Sequence, residues 1–208
     1  MRPRAWVLVL AAVFALLQLA NVTGRDTPDS RNYLSYALGL RGDDKREAAG
    51  AAIDWVCAGE TSIARRKQSV DVVRFRAPDT SARVAEQCRD SLWRDVDKRL
   101  RAGQTDGHTV PFSSERFMRI FEARPGYPAL LVPFVTVFGV TWGVWLTSVL
   151  VAAAGGVLAF LVLRRLGAAP VVALTGQALF YVLPCGATAM RPMTEGLLLA
   201  LTLAALWG

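Results

Sequence analysis

The sequence contains a single histidine, His108, and only three cysteines. With no clustered set of His and Cys, the ligand spacing that a zinc site needs is missing. A glycine-rich phosphate loop and a serine nucleophile elbow are also missing, so no motif points to nucleotide binding or serine-type hydrolysis. There is no lysine-rich tail and no basic–aromatic repeat. Nucleic acid is therefore not an expected partner, even at a formal net charge of +7. Charge itself is absent from three long runs, residues 5–23, 125–163 and 166–190. A soluble core of this size does not need uncharged runs so long, which makes membrane protein the first reading.

Charge is concentrated elsewhere. Residues 24–124 carry 19 of the 24 basic and 16 of the 17 acidic side chains, a well-mixed net +3. Arg2, Arg4, Arg164, Arg165 and Arg191 lie outside that segment at the ends of apolar runs, where they read as topology markers. The opening "MRPRAW" precedes an apolar stretch long enough, at roughly 28 Å as a helix, to cross a bilayer. Its positive flank implies a cytoplasmic amino terminus and a first transmembrane helix over residues 1–23. A secretory signal fits the same flank, but a cut after Ala20 would place Gln18 where a small residue is preferred.

Residues 127–163 would form a helix of roughly 55 Å, too long for one crossing and short for two with a turn. Arg164 and Arg165 as a second cytoplasmic flank imply a single crossing here. The expected layout is a short interfacial helix over 128–139, bent at Pro133, then helices over 141–163 and 170–190. An incomplete helix follows over 196–208, too short to span, with the chain stopping inside it. Gly139 and Gly143 are spaced for a small-residue helix contact.

The charged segment, 24–127, reads as helices with connectors. "NYLSYALGL" repeats Tyr33, Leu34, Ala37 and Leu40 at helical spacing, with Asp29 or Ser30 as its cap. "DKREAAGAAIDWVC" suggests a second helix, and "SVDVVRF" a strand or extended connector. "TSARVAEQCRDSLWRDVDKRLRAG" places Val84, Cys88, Leu92, Val96 and Leu100 four apart, an apolar stripe on a charged helix. "GQTDGHTVPFSS" reads as a loop. Cys57 and Cys88 either pair or remain free thiols; a bridge would be worth roughly 3 to 4 kcal/mol by chain-entropy reasoning.

The order of "DSRNYLSYALGL", "ARPGYPALLVPFVTVFG", "VLRRLG" and "RPMTEGLLLAL" resembles the amino-terminal part of the GT-C superfamily, multi-spanning glycosyltransferases that use lipid-phosphate-linked sugars. The resemblance implies an all-α polytopic membrane protein with a large first extracytoplasmic loop, multi-pass in the cell membrane with its amino terminus cytoplasmic. It implies a polyprenyl-phosphate-linked sugar as donor, a glycan or other hydroxyl as acceptor and membrane lipids as surroundings, and leaves open a divalent metal cofactor. By carry-over, Asp29 is the candidate base, with Asp26 as fallback. Arg124 and Arg191 would hold phosphate oxygens, and Tyr33 and Glu195 would contact substrate. Each residue also has a plainer role: helix cap, interfacial anchor or headgroup contact. The alternative is a membrane-anchored envelope assembly or binding protein without catalytic activity, in which 24–127 does the work and the helices only anchor. A transporter fits less well, because the apolar helices lack charge in their middles.

Overall fold

The computed structural model describes residues 3–208 except Arg74, with Pro3 and Arg4 described by backbone alone. Arg2, one of the expected topology markers, lies outside them, as does the side chain of Arg4. The described residues are helical, in the order α1 (Pro3–Gln18), a 3-10 turn (Leu19–Asn21), α2 (Ser30–Arg41), α3 (Lys45–Val70), α4 (Ser81–Arg101), α5 (Glu115–Glu122), α6 (Gly126–Arg165), α7 (Pro170–Val182), α8 (Pro184–Ala189) and α9 (Thr194–Trp207). They divide into two compact units: a charged unit, Thr23–Gly143, and an apolar unit made of Met1–Val22 and Val144–Gly208.

The charged unit is built around α2, whose Tyr33, Leu34, Ala37 and Leu38 are all at most 2% exposed. A sharp turn at Gly42 leads into α3, where the Asp44 carboxylate accepts hydrogen bonds from the Arg46 and Glu47 amides at 2.7 and 2.9 Å, a regular N-cap. The buried side of α3 is mostly small (Ala48, Ala49, Ala52), with Ile53 and Cys57 beside it, which lets neighbouring helices approach closely. On α4 only Ser81, Cys88 and Val96 are buried, so this helix has little apolar contact of its own. A disulfide joins Cys57 to Cys88, with a Cα–Cα distance of 5.7 Å. Arg46 lies 5.2 Å over the Trp93 ring, and the ion pairs Arg46–Asp97 and Arg89–Asp54 also link α3 to α4.

The segment after α4 is pinned. Lys45 Nζ donates to the carbonyls of Gly107 and Thr109, while Glu122 Oε1 accepts from the amides of His108 and Thr109 and from the Thr109 hydroxyl. Tyr33 then ties α5 to the start of α6, its ring edge-on to Phe121 at 5.1 Å and to Tyr127 at 6.1 Å.

The apolar unit uses its uncharged runs on one another. Phe14 of α1 stacks on Tyr181 of α7 at 4.4 Å, above a cluster that includes Val149, Ala152 and Met190. A second cluster gathers Val7, Phe160 and Ala173. Gly156 makes the first possible, because a Cβ there would strike the Tyr181 ring. Inside this unit the fully buried Gln177 amide donates to the Val7 carbonyl at 3.0 Å and to the Tyr181 hydroxyl at 3.2 Å. The Tyr181 hydroxyl in turn donates to the Ala153 carbonyl.

These observations overturn the polytopic GT-C-like fold. Among the described residues one helix, α6, is long and apolar enough to cross a membrane by length and composition. Among the described residues the remaining apolar helices are shorter. At 1.5 Å per residue α7 reaches roughly 20 Å, against a hydrocarbon layer of about 30 Å. The expected helix over 170–190 ends at Val182, because Leu183 is extended (ψ 175°) and Pro184 opens a separate helix, α8. With several crossings gone, the resemblance to the GT-C superfamily loses its basis. The multi-pass placement in the cell membrane, cytoplasmic amino terminus and long outer loop, falls with it, as does the description as a multi-spanning transmembrane protein.

Within α6, Gly139 is not helical (φ 72°, ψ 172°), a left-handed conformation that a residue with a Cβ would resist. The chain folds back so sharply there that a Cβ on Gly143 would come within 2.7 Å of the Phe134 and Val135 backbone. The small-residue pair therefore serves a bend within one segment. "SVDVVRF" begins inside α3 and continues as a turn at Val72 and Val73; Arg74 lies outside the described residues.

Candidate functional site

The acids singled out from the sequence lie at the entrance to α2. Asp29 occupies the N-cap position with near-helical dihedrals (φ −83°, ψ −28°) and makes no side-chain cap bond. Its carbonyl accepts from the Asn32 and Tyr33 amides, and the local turn is closed by the Thr27 and Ser30 hydroxyls, 2.8 Å apart. Asp29 is half-buried.

Asp26 is the more perturbed of the two. Its Oδ1 is buried with no hydrogen-bond partner among the described residues. That oxygen sits against α3, where a Cβ on Gly59 would collide with it. Burial raises the Asp26 pKa above the usual carboxylate value; its own backbone N–H opposes the shift and the nearby Glu60 carboxylate adds to it.

Tyr33 is 2% exposed and locked between Phe121 and Tyr127, so its ring faces are committed to packing. Arg124 follows α5 on the surface of the charged unit. Arg191 and Glu195 belong to the apolar unit, both exposed, Arg191 in the turn between α8 and α9 and Glu195 in the first turn of α9. The proposed catalytic and substrate residues are thus divided between the two units. Among the described residues no group of three or more His, Cys, Asp or Glu side chains is placed to hold a metal ion.

The charged unit does hold a cleft, of about 320 Å³, where α2, α3 and α4 meet. Arg31 lines it from α2, Val56 and Glu60 from α3, and Val84, Gln87 and Ser91 from α4. The Arg31 guanidinium lies 5.2 Å over the Phe112 ring, and its Nε is buried without an acceptor among the described residues. Burial lowers the Arg31 pKa; Asp95, Asp29 and Glu60 oppose the shift and Arg99 adds to it. The cleft thus offers a cation, a carboxylate, an amide and a hydroxyl around a small apolar floor, an arrangement suited to gripping a polar partner.

Arg31, Glu60, Gln87 and Ser91 were not anticipated from the sequence. Their signal lay in the cysteines: once Cys57 bonds Cys88, the residues three further along each helix, Glu60 and Ser91, lie on the same seam.

In comparisons with protein-family models, curated proteins and solved structures, nothing matches this chain. The glycosyltransferase reading therefore has neither a family match nor the several membrane helices its lipid-linked donor would require, and it is withdrawn.

Proposed function

We propose that the protein is a membrane-anchored binding or assembly module. The charged unit is its working part, and the second half of α6 its anchor. The observation that carries this reading is the continuity of the two. The disulfide-stapled unit runs into α6, and from Val140 to Leu163 that helix has no charge before it meets Arg164 and Arg165. Twenty-four residues there give a helix of roughly 36 Å, enough for a hydrocarbon layer of about 30 Å. The disulfide supports folding of the charged unit in an oxidising compartment. Its cleft, with mixed charge and hydrogen-bonding groups, supports binding of a polar ligand or a neighbouring envelope component.

Leu150 provides the test. It is 47% exposed on the anchor segment, so an arginine there would face either lipid or water. In lipid, Leu150→Arg costs about 3 kcal/mol near the middle of a crossing helix. The variant should then lose resistance to alkaline extraction from membranes while the charged unit keeps its disulfide. An unchanged membrane fraction for Leu150→Arg, or a wild-type chain that alkali strips from membranes, would refute the anchor.

A further inference from the structure

We infer that α5 rests on the lipid headgroup layer, with Phe117 and Ile120 entering the boundary between headgroups and acyl chains. This deepens the anchored reading and rests on it. The helix has two apolar sides. Met118 and Phe121 are buried in the charged unit at 5% and 3% exposure, whereas Phe117 and Ile120, three residues apart and so on one face, remain 43% and 46% exposed. Scattered exposed apolar residues are ordinary on a protein surface. These stand out by position, because α5 ends four residues before α6 begins and is clamped to its start through Phe121, Tyr33 and Tyr127.

The same unit exposes Val137 and Phe138 on the stretch of α6 that precedes the anchor. Polar groups around α5 fit a phosphate-bearing surface. Arg116 is exposed, and its long stem can bury while its charge reaches headgroup oxygens. The two acids of the helix are already engaged, Glu115 with Arg119 at 2.6 Å and Glu122 with the His108 and Thr109 amides. A short helix with aromatic and aliphatic residues on one side and an arginine beside them matches the pattern of helices lying in a membrane interface.

The experiment uses the full chain, with Cys185→Ala removing the one free thiol found among the described residues. Nitroxide labels are placed at Phe117→Cys and, as a control on the exposed side of α4, at Glu86→Cys. Both proteins are reconstituted into mixed phosphatidylcholine–phosphatidylglycerol vesicles. At position 117 the label should become accessible to oxygen and shielded from a water-soluble nickel chelate, while at position 86 it stays aqueous. Adding Ile120→Asp should return the 117 label to water, with the protein still resisting alkaline extraction. An aqueous 117 label in protein that resists extraction would overturn the inference and leave the anchored reading intact. Release of both labelled proteins by alkali would sink the two together.

Discussion

The charged unit and the apolar unit solve the same packing problem with opposite materials. The charged unit includes, in α4, a helix that is polar on most sides and buries only Ser81, Cys88 and Val96. Its ion pairs add little. Arg89 and Asp54, for example, pair at 2.7 Å with side chains 49% and 64% exposed, and pairs so well solvated are worth about 0 to 1 kcal/mol. What holds α4 in place is covalent and local: the disulfide, the Trp93 ring beneath Arg46, and the alanine face of α3. The apolar unit has no such staple. It relies on close approach, with Gly156 admitting the Tyr181 ring, and on one buried polar network at Gln177. A helix as poor in apolar contact as α4 needs a cross-link, whereas uncharged helices packed on one another need a device that selects one register among many similar ones.

Breaking the cross-link should have the largest effect. Cys57→Ser with Cys88→Ser removes a bridge between residues 31 apart in sequence, and closure of such a loop is worth roughly 3 to 4 kcal/mol. The expected result is a lowered Tm and early proteolysis within α4. Fragments of the apolar unit should persist, because the bridge joins α3 to α4 within the charged unit. Loss of protection in both units together would show that they do not unfold separately.

The matching cut in the apolar unit is Gln177→Ala. It removes the donor to the Val7 carbonyl and the partner of Tyr181, a loss of about 1 to 3 kcal/mol for a buried hydrogen-bonding group. Detergent-solubilised protein should show a lower Tm, and faster hydrogen exchange confined to α1, α7 and the second half of α6. If Gln177→Ala were as stable as the wild type, the network would have no part in holding α1 to α7.

How much of this was readable beforehand differs between the units for the same reason. Local signals came through. "DKREAAGAAIDWVC" read as a helix and falls at the start of α3, and Gly139, expected to bound a helix, is where regular helix fails. The stripe Val84, Cys88, Leu92, Val96 and Leu100 also falls on a helix, but only Cys88 and Val96 of it are buried. Steps of four residues overshoot a 3.6-residue turn by about 40° each, so such a stripe winds around the helix and only part of it can face α3. Long-range contacts left no trace. Nothing near Lys45 or Glu122 announces that both reach the 106–109 segment to pin it, so that segment read as a loose loop. In the apolar unit composition misled, because an uncharged helix packed on its neighbours and one immersed in lipid have the same residue content. Deciding between them took helix lengths, and those depended on Leu183 and Pro184 ending α7 early.

The smallest expected effect concerns the acid at the head of the charged unit and separates it from its neighbour. Asp26 is raised by burial, with Glu60 adding to the shift, so its proton is held more firmly in the folded chain than in the unfolded one, where an aspartate titrates near 3.9. A group of this kind favours the fold below its unfolded pKa, and that contribution is lost as pH rises through the folded value. At neutral pH the Asp26 charge therefore opposes folding. Asp26→Asn, which keeps the shape and removes the charge, should raise Tm at neutral pH. The gain should shrink on acidification and be absent once the wild-type carboxyl is protonated in both states. Because Asp26 is only partly buried, water screens much of the cost and the gain should be modest. Asp29→Asn supplies the contrast, since Asp29 makes no side-chain cap bond and lies outside the contact between Asp26 and Gly59; it should leave Tm at neutral pH close to wild type. If Asp26→Asn were no more stable than the wild type at neutral pH, the buried Oδ1 would not be costing the fold anything, and the bond from the residue's own backbone N–H would be offsetting its burial.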